Sequence, residues 1–396
     1  MIIYNKTWLA NLRIIHKAEQ AHHEGLISQV ELTHITESHP VGFYLPSVFV
    51  RGGLFILTVI VAILSCGLLS LLILDAHIID GFGWSLFLGI GCYVALEVMV
   101  KDKKYFHSGV DEALLYMAGA LISGSMISVI DNLHAYAYHS GYIFCSLLIF
   151  LFCIFLTLRF ADVITTIAAF ASFFAILFFS WSNLGSIGEA TLPFITMAAA
   201  GVLYWLSAKA QLRSDYANYH TCLDVVQILG LITLYVAGNY YVVQKVGNAL
   251  HNFSYEQNTT VPFGFIFWIW TIAVPFVYIG FGIRKKNVIL LRTGLLLIAA
   301  AVFTFRNYYH LLPIETMLTL AGVLVTGLAY WIHQYLKVPK HGFTQESLNK
   351  TDLMEHIKVE SLIVAGTFSE TPGAPADPAF KFGGGSAGGG GSSSSF

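Results

Sequence analysis

Charged residues are scarce in this sequence. Asp, Glu, Lys and Arg make up 11% of its 396 residues, whereas soluble domains contain about 25%. With 56% hydrophobic residues and a mean hydropathy of +0.69, the chain has too little polar surface to stay in water. The scarcity of charge therefore excludes an ordinary soluble domain and predicts an integral membrane protein.

Several functional patterns are also missing. No stretch gathers the Lys and Arg that a nucleic-acid-binding face requires, so we expect no nucleic-acid partner. The five cysteines show no CxxC or Cys/His spacing, so we interpret them as small apolar packing residues and expect no metal and no cofactor. The motifs HExxH and GxxxxGK[ST] are absent, so no catalytic residue is predicted and an enzyme is the least favoured class.

Long apolar stretches are abundant. Residues 54–74, 163–188 and 261–283 contain no Asp, Glu, Lys or Arg, and 18 or more such residues are typical of a spanning helix. The pattern predicts an all-α, polytopic bundle of about ten transmembrane helices. We place them at residues 53–74, 82–100, 112–130, 141–158, 163–182, 190–208, 221–243, 262–283, 288–305 and 313–335.

The basic residues indicate how these spans are oriented. With ten spans, only Lys245 and Arg306 of the 21 Lys and Arg fall on the side opposite the N-terminus. Cytoplasmic loops are enriched in Lys and Arg. The sequence therefore predicts that both termini are cytoplasmic. One span too many or too few would destroy this alternation.

The predicted organisation has four parts. Residues 1–50 form a cytoplasmic helical hairpin in which Gly25 ends the first helix, and Ser28 with Glu31 makes a capping box for the second. Residues 51–336 form the transmembrane domain, and residues 337–370 form a cytoplasmic C-terminal segment. Residues 371–396 are rich in Pro, Gly and Ser and are predicted to be disordered. Either end of the chain is a possible binding module for a cytoplasmic protein.

Ionisable side chains are nearly absent from the middle of the spans. Glu97 lies four residues before Lys101, and Arg159 lies near Asp162, so both sets have a structural interpretation as ion pairs at the cytoplasmic ends of helices. A carboxylate at the midplane is typical of ion-coupled transporters. Its absence argues against that class but leaves a carrier of uncharged or apolar cargo open.

The densest polar group lies at the predicted outer ends of the spans. If the ends of several spans converge there, they form a polar, aromatic-lined mouth. The candidate ligand-binding residues are Arg306, Asn307, Tyr309, His310, Glu315, Asp131 and Asn239. Arg306 needs an acidic partner, for which Glu315 and Asp131 are available. The alternative is an interfacial aromatic belt with a structural ion pair.

Two stretches resemble a known class of proteins. The segment from Ala18 through Gly25 to Ser28, and the segment from Arg292 through Tyr308, Tyr309 and His310 to Gly322, resemble uncharacterised bacterial multi-pass membrane proteins of the domain-of-unknown-function class, which have an N-terminal cytoplasmic hairpin. The resemblance implies a bacterial inner-membrane protein and supplies no activity. Two functions are weighed: a non-enzymatic envelope scaffold or sensor, and a transporter or carrier of lipid or small solutes.

Overall fold

The computed structural model describes residues 2–72, 82–132, 138–250 and 264–308, together with a few positions between 316 and 334. For residues 130–140, 186 and 250 it describes at most the backbone. The predicted last span and the predicted segments 337–370 and 371–396 therefore lie wholly or mostly outside the described residues.

The described chain is all α-helical, as predicted. Twelve α-helices follow one another along these residues, with a 3-10 helix at Ser214–Tyr219 before the ninth. They are α1 Lys6–His23, α2 Gln29–Ser38, α3 Val48–Leu72, α4 Phe82–Asp102, α5 Val110–Asn132, α6 Tyr138–Phe160, α7 Val163–Ser182, α8 Ser186–Gln211, α9 His220–Ala237, α10 Tyr240–Leu250, α11 Gly264–Lys285 and α12 Val288–Tyr308.

Nine of these segments are long and apolar enough to cross a membrane. They are α3 to α9 with α11 and α12, the ninth helix being counted with the 3-10 turn before it. Each of the nine overlaps a predicted span, because a helix needs about 20 apolar residues to cross the hydrocarbon layer and such runs are readily recognised in a sequence. The described residues thus form a multi-pass membrane protein in contact with lipid.

Consecutive helices pack as hairpins. The closest pairs are α4 with α5, α6 with α7, α8 with α9, and α11 with α12, and α9 also contacts α7 and α12. The connections between α6 and α7 and between α11 and α12 are only two residues long, at Ala161–Asp162 and Lys286–Asn287. The first span, α3, packs mainly against α5, and Ala62 is its one buried residue.

The N-terminal residues form two helices, α1 and α2, which we call the hairpin. Asn5 caps α1 by accepting hydrogen bonds from the backbone of Thr7 and Trp8. Gly25, with φ of 72°, ends the turn after α1, and Ser28 and Glu31 form the capping box of α2. The hairpin lies against the ends of α4, α5 and α6, which we call the hairpin end of the molecule; the opposite ends of the spans are the far end.

The predicted seventh span, residues 221–243, is divided in the structure. Its helix α9 stops at Ala237, and α10 starts at Tyr240 after a break at Gly238 and Asn239. Gly238 is required there, because a Cβ atom at this position would lie 2.4 Å from the Trp270 ring. Helix α9 alone is about 27 Å long at 1.5 Å per residue, so the break falls near the far end rather than at mid-membrane.

Candidate functional site

The hairpin is fixed to the membrane helices through Tyr4. The Tyr4 ring is 7% exposed. It makes edge contacts with the rings of Phe43, Phe106 and Phe160, at centroid distances of 6.1, 4.8 and 6.5 Å. One residue earlier, the backbone N–H of Ile3 donates to the carbonyl of Arg159 at 2.9 Å. Edge contacts between aromatic rings each stabilise by roughly 0.5–1.5 kcal/mol beyond their burial, so the chain before α1 is firmly docked on α6.

Trp8 extends this contact one turn into α1. Its ring lies edge-on to Phe43 at 5.1 Å, and the Lys104 ammonium sits 5.1 Å above its centroid. Gly42 passes directly over the indole, where a Cβ atom would lie 2.5 Å from Trp8. The linker after α2 and the loop after α4 therefore hold Trp8 from two sides.

The loop between α4 and α5 is held by Asp111. This carboxylate is 3% exposed and accepts hydrogen bonds from the backbone N–H of His107 and from the N–H and hydroxyl of Ser108, at 2.8 to 2.9 Å. Its position in the first turn of α5 also suits the positive end of the helix dipole. The loop that carries Phe106 is thus rigid where the hairpin rests on it.

Glu112 ties α5 to the start of α3. It accepts two hydrogen bonds from the Arg51 guanidinium, one of them at 2.9 Å from Nε, and it faces Nδ1 of His107 at 2.9 Å. Bidentate Arg–carboxylate pairs fix geometry as well as charge. Arg51 therefore anchors α3, which otherwise has few neighbours, to the hairpin end.

Asp162 performs a similar role at the turn between α6 and α7. It is 4% exposed, caps α7 by accepting from the backbone N–H of Thr165 at 2.9 Å, and accepts from the Tyr116 hydroxyl at 3.0 Å. The sequence suggested a pairing of Asp162 with Arg159. In the structure the two Asp162 oxygens serve the cap and Tyr116, while Arg159 donates to Glu97.

Glu97 is the centre of a second charged group, on α4. It pairs with Lys101 at 2.7 Å, as its spacing predicted, and also with Arg159 of α6 at 2.8 Å. The Tyr93 hydroxyl donates to the same carboxylate at 2.8 Å. A shallow cleft of about 340 Å³ runs along Tyr93, Val94, Glu97, Val98, Lys101 and Asp102 beside it. The Glu97 carboxylate is therefore already paired with the cations of Lys101 and Arg159.

The three carboxylates below the hairpin act on Tyr4. Burial, followed by the negative charges of Asp111, Asp162 and Glu112, raises the pKa of the Tyr4 phenol well above its usual value. The docked tyrosine therefore stays neutral, and its ionisation would oppose docking. The contacts at the hairpin end therefore serve to hold the hairpin in one position.

The second helix of the hairpin, α2, is exposed and buries none of its residues against the rest of the protein. No residue of α2 is buried, and Leu26 and Val30 are 73% and 66% exposed. Its capping box supports it locally, with Ser28 N–H donating to Glu31 at 2.7 Å. These hydrogen bonds from the backbone and side chain of Ser28 lower the pKa of Glu31. An anchored α1 thus carries an exposed turn with Leu26 and an exposed α2 with Val30.

A separate polar cluster surrounds the helix break at the far end. Asn239 is 3% exposed; its amide donates to the Thr304 hydroxyl at 2.9 Å and to the Tyr235 hydroxyl at 3.2 Å, and its oxygen accepts from the backbone of Tyr241 at 3.0 Å. The hydroxyl of Thr271 accepts from the backbone N–H of Tyr240 at 3.1 Å. Side chains of α11 and α12 therefore hydrogen-bond to the break.

Two tyrosines tie α9 to α11 below this break. The Tyr278 hydroxyl donates to the carbonyl of Leu231 at 3.1 Å, and the Tyr235 hydroxyl donates to the carbonyl of Thr271 at 3.4 Å. The second carbonyl is available because Pro275, four residues later, has no N–H to donate. An apolar cleft of about 350 Å³ lies beside these contacts and is lined by Leu234 of α9 and by Trp270 and other residues of α11.

The structure describes part of the predicted outer mouth. The Asn239 side chain is already hydrogen-bonded within the helix break. Arg306 is half-buried and Asn307 is exposed. Arg306 lies two residues beyond Thr304, a rotation of about 200° around α12, so it does not share the face that contacts Asn239. Tyr309, His310 and Glu315 lie outside the described residues, as does the Asp131 side chain. The mouth stays a prediction.

Sequence reasoning missed the docking site. Tyr4, Phe43 and Phe106 are far apart in sequence, and an isolated aromatic residue in a loop carries no periodic signal. Arg51 gave a clue, since it stands directly before a long uncharged run and needed an acidic partner. The sequence does not show that this partner is Glu112, 61 positions away.

Among the residues that the structure describes, no three His, Cys, Asp or Glu side chains are grouped so that they could hold a metal ion. Comparison of the chain with protein-family models, with curated proteins and with solved structures finds no match, so the resemblance noted in the sequence gains no support and no family is assigned.

Proposed function

We propose that this protein is a non-enzymatic scaffold or sensor of the bacterial cytoplasmic membrane, which presents α2 to a cytoplasmic protein. The observation that carries the proposal is the contrast within the hairpin. Tyr4 and Leu9 are buried against the membrane helices, whereas α2 buries nothing. A hairpin that served only to cover the helix ends would have no reason to expose Leu26 and Val30.

The distribution of charge supports the cytoplasmic placement. In the described part of the chain, every Lys and Arg except Lys245 and Arg306 lies in the hairpin or towards the hairpin end of the spans. Because cytoplasmic loops collect Lys and Arg, we place the hairpin end in the cytoplasm. On the predicted count of ten spans the C-terminus lies there too.

Partner binding through α2 is tested by photo-cross-linking in the native cell. A photoreactive phenylalanine analogue is placed at Leu26 or Val30, and at Glu19 of α1 as an exposed control on the same hairpin. We expect one discrete adduct from positions 26 and 30 and none from Glu19. Val30→Glu should abolish the Leu26 adduct while membrane insertion is unchanged. Absence of an adduct, or the same adducts from all three positions, would overturn the proposal.

A carrier with an outer polar mouth is the second candidate. It is favoured by the interrupted helix at Gly238 and Asn239, because interrupted helices form the substrate sites of many transporters. The position of the break near the helix end and the internal pairing of Asn239 argue against a midplane site. A carrier requires that Arg306→Ala impair solute or lipid movement in proteoliposomes while insertion stays normal, with Lys245→Ala as the control for lost charge on that side.

A further inference from the structure

The cleft beside Glu97 is a groove that opens towards lipid. It measures about 340 Å³, and all the residues that line it belong to α4. Two of them, Val94 and Val98, are 54% and 48% exposed. Because α4 is long and apolar enough to span the membrane, aliphatic side chains exposed on its surface face the acyl chains of the bilayer. The apolar half of the groove is therefore accessible to a lipid tail.

Side chains of α6 reach α4 beside this groove. The Phe155 ring, 44% exposed, lies 6.2 Å from the ring of Tyr93. One turn further along α6, the Arg159 guanidinium donates to the Glu97 carboxylate at 2.8 Å. The surface next to the groove thus has an aromatic ring at the depth of the lipid tails and a cation at the end of the span.

The charged end of the groove has more cations than its first carboxylate can neutralise. Glu97 pairs with Lys101 at 2.7 Å and with Arg159 at 2.8 Å, so one negative charge faces two positive charges. The Lys101 side chain is 56% exposed. Its ammonium has three N–H donors, and the pair with Glu97 requires one of them. Lys101 can therefore also donate to a phosphate oxygen from the lipid side.

Asp102 brings an exposed carboxylate to the same end of the groove. Among the residues that the structure describes, it forms no ion pair. At 3.6 residues per turn, Lys101 and Asp102 project on either side of the line that joins Val94 and Val98. Asp102 lies about 12 Å beyond Val94 along the helix axis. A cationic position and an anionic position thus stand side by side above an apolar strip.

We propose that this groove binds an aminophospholipid of the bilayer, whose headgroup joins a phosphodiester to a primary ammonium. The phosphate accepts hydrogen bonds from Lys101, and the ammonium donates to Asp102. An acyl chain lies along Val94, Val98 and Phe155. Each headgroup charge then meets an opposite charge on the protein, which favours charge-assisted hydrogen bonds. The inference goes beyond the proposed function, since it requires neither a protein partner nor a particular orientation of the spans.

Lipid titration tests the choice of headgroup. The delipidated protein in nonionic detergent is mixed with phosphatidylethanolamine, phosphatidylcholine or phosphatidylglycerol, and the midpoint of thermal unfolding is followed against lipid concentration. We expect phosphatidylethanolamine to bind most tightly, because the choline headgroup has no N–H to donate to Asp102 and the glycerol headgroup has no cation. Equal affinities, or tighter binding of either other lipid, would overturn the proposal.

Two substitutions test the charged side chains. Lys101→Ala and Asp102→Asn should each weaken the binding of phosphatidylethanolamine about fivefold, the effect of losing one exposed ion pair. Asp102→Asn should not weaken the binding of phosphatidylglycerol. The matched control is Lys103→Ala, which removes an exposed cation that does not line the groove and should bind as the wild type does. Equal losses in all three variants, or a loss in none, would contradict the proposed contacts.

Photo-cross-linking locates the lipid in the unsubstituted protein, so the result does not depend on how the variants fold. Phosphatidylethanolamine with a diazirine in its acyl chain is incorporated into proteoliposomes, and the adducts are mapped by mass spectrometry. We expect them to concentrate in residues 93–102 and 151–159, and to be displaced better by unlabelled phosphatidylethanolamine than by phosphatidylcholine. Adducts spread evenly over the spans, or absent from these two stretches, would count against the site.

Discussion

At the scale of single residues, a few side chains decide how the hairpin end is built. Tyr4, Asp111, Glu112 and Asp162 are all buried there, and each carboxylate is already engaged by donors from the protein. A charge left unpaired in such a place would cost several kcal/mol. Nothing in the sequence predicted that Tyr4 would lie next to three carboxylates.

The Tyr4 phenol should make stability depend on alkaline pH. Its raised pKa means that the docked state favours the protonated form, so its contribution is complete below the ordinary tyrosine pKa of about 10 and is lost as the pH rises above it. In nonionic detergent, the midpoint of thermal unfolding should fall more steeply between about pH 10 and 11.5 for the wild type than for Tyr4→Phe. Parallel curves for the two proteins would contradict the account.

Gly109 is the backbone position on which the α4–α5 loop depends. Its φ is +92°, and a Cβ atom there would lie 2.1 Å from the Arg51 carbonyl oxygen. Gly109→Ala should destabilise by at least about 1–2 kcal/mol, because the left-handed backbone is strained for L-residues and the contact forces α3 away. The measurement is thermal unfolding in detergent.

The matched control for Gly109 is Gly53. It lies inside α3 with nothing within 4 Å of a new Cβ atom, so Gly53→Ala should be neutral or stabilise by about 0.5–1 kcal/mol. Equal effects of the two substitutions would show that the close approach of Gly109 to Arg51 does not matter.

At the scale of elements, the sequence predicted most of the helices and missed one break. Runs of about 20 apolar residues are selected by the thickness of the bilayer, so α3 to α8, α11 and α12 lie where the pattern placed them. The boundary between α9 and α10 was missed because residues 240–243 continue the apolar pattern of α9. The break depends on tertiary partners, namely Trp270 over Gly238 and Thr304 beside Asn239, which a local pattern cannot contain.

Asn239 should behave as the centre of this break. Asn239→Ala removes the cap of α10 and the hydrogen bonds to Tyr235 and Thr304, which should cost about 1–3 kcal/mol of unfolding free energy. Thr304→Val removes one side of the same pair. In a double-mutant cycle by thermal unfolding, the two changes should be coupled by about 0.5–3 kcal/mol. Simple additivity would mean that the two side chains do not act together.

At the scale of the whole molecule, the amino-acid composition is sufficient to predict the structural class of the protein. The low charge content predicted a multi-pass helical protein, and the described helices confirm it. The candidate site could not be predicted in the same way. The docking surface brings together Tyr4, Phe43, Phe106 and Phe160, which are separated by up to 156 positions, and no single stretch of sequence encodes such a contact.

The central claim is that the hairpin end faces one compartment and the far end the other. It is tested most directly by sided labelling of Lys103→Cys, Lys286→Cys and Lys245→Cys with a membrane-impermeant maleimide, over the background of the unsubstituted protein. The account predicts that positions 103 and 286 label only from the cytoplasmic face, in inverted vesicles, and that position 245 labels only in intact cells. Labelling of positions 103 and 286 from opposite faces would contradict it.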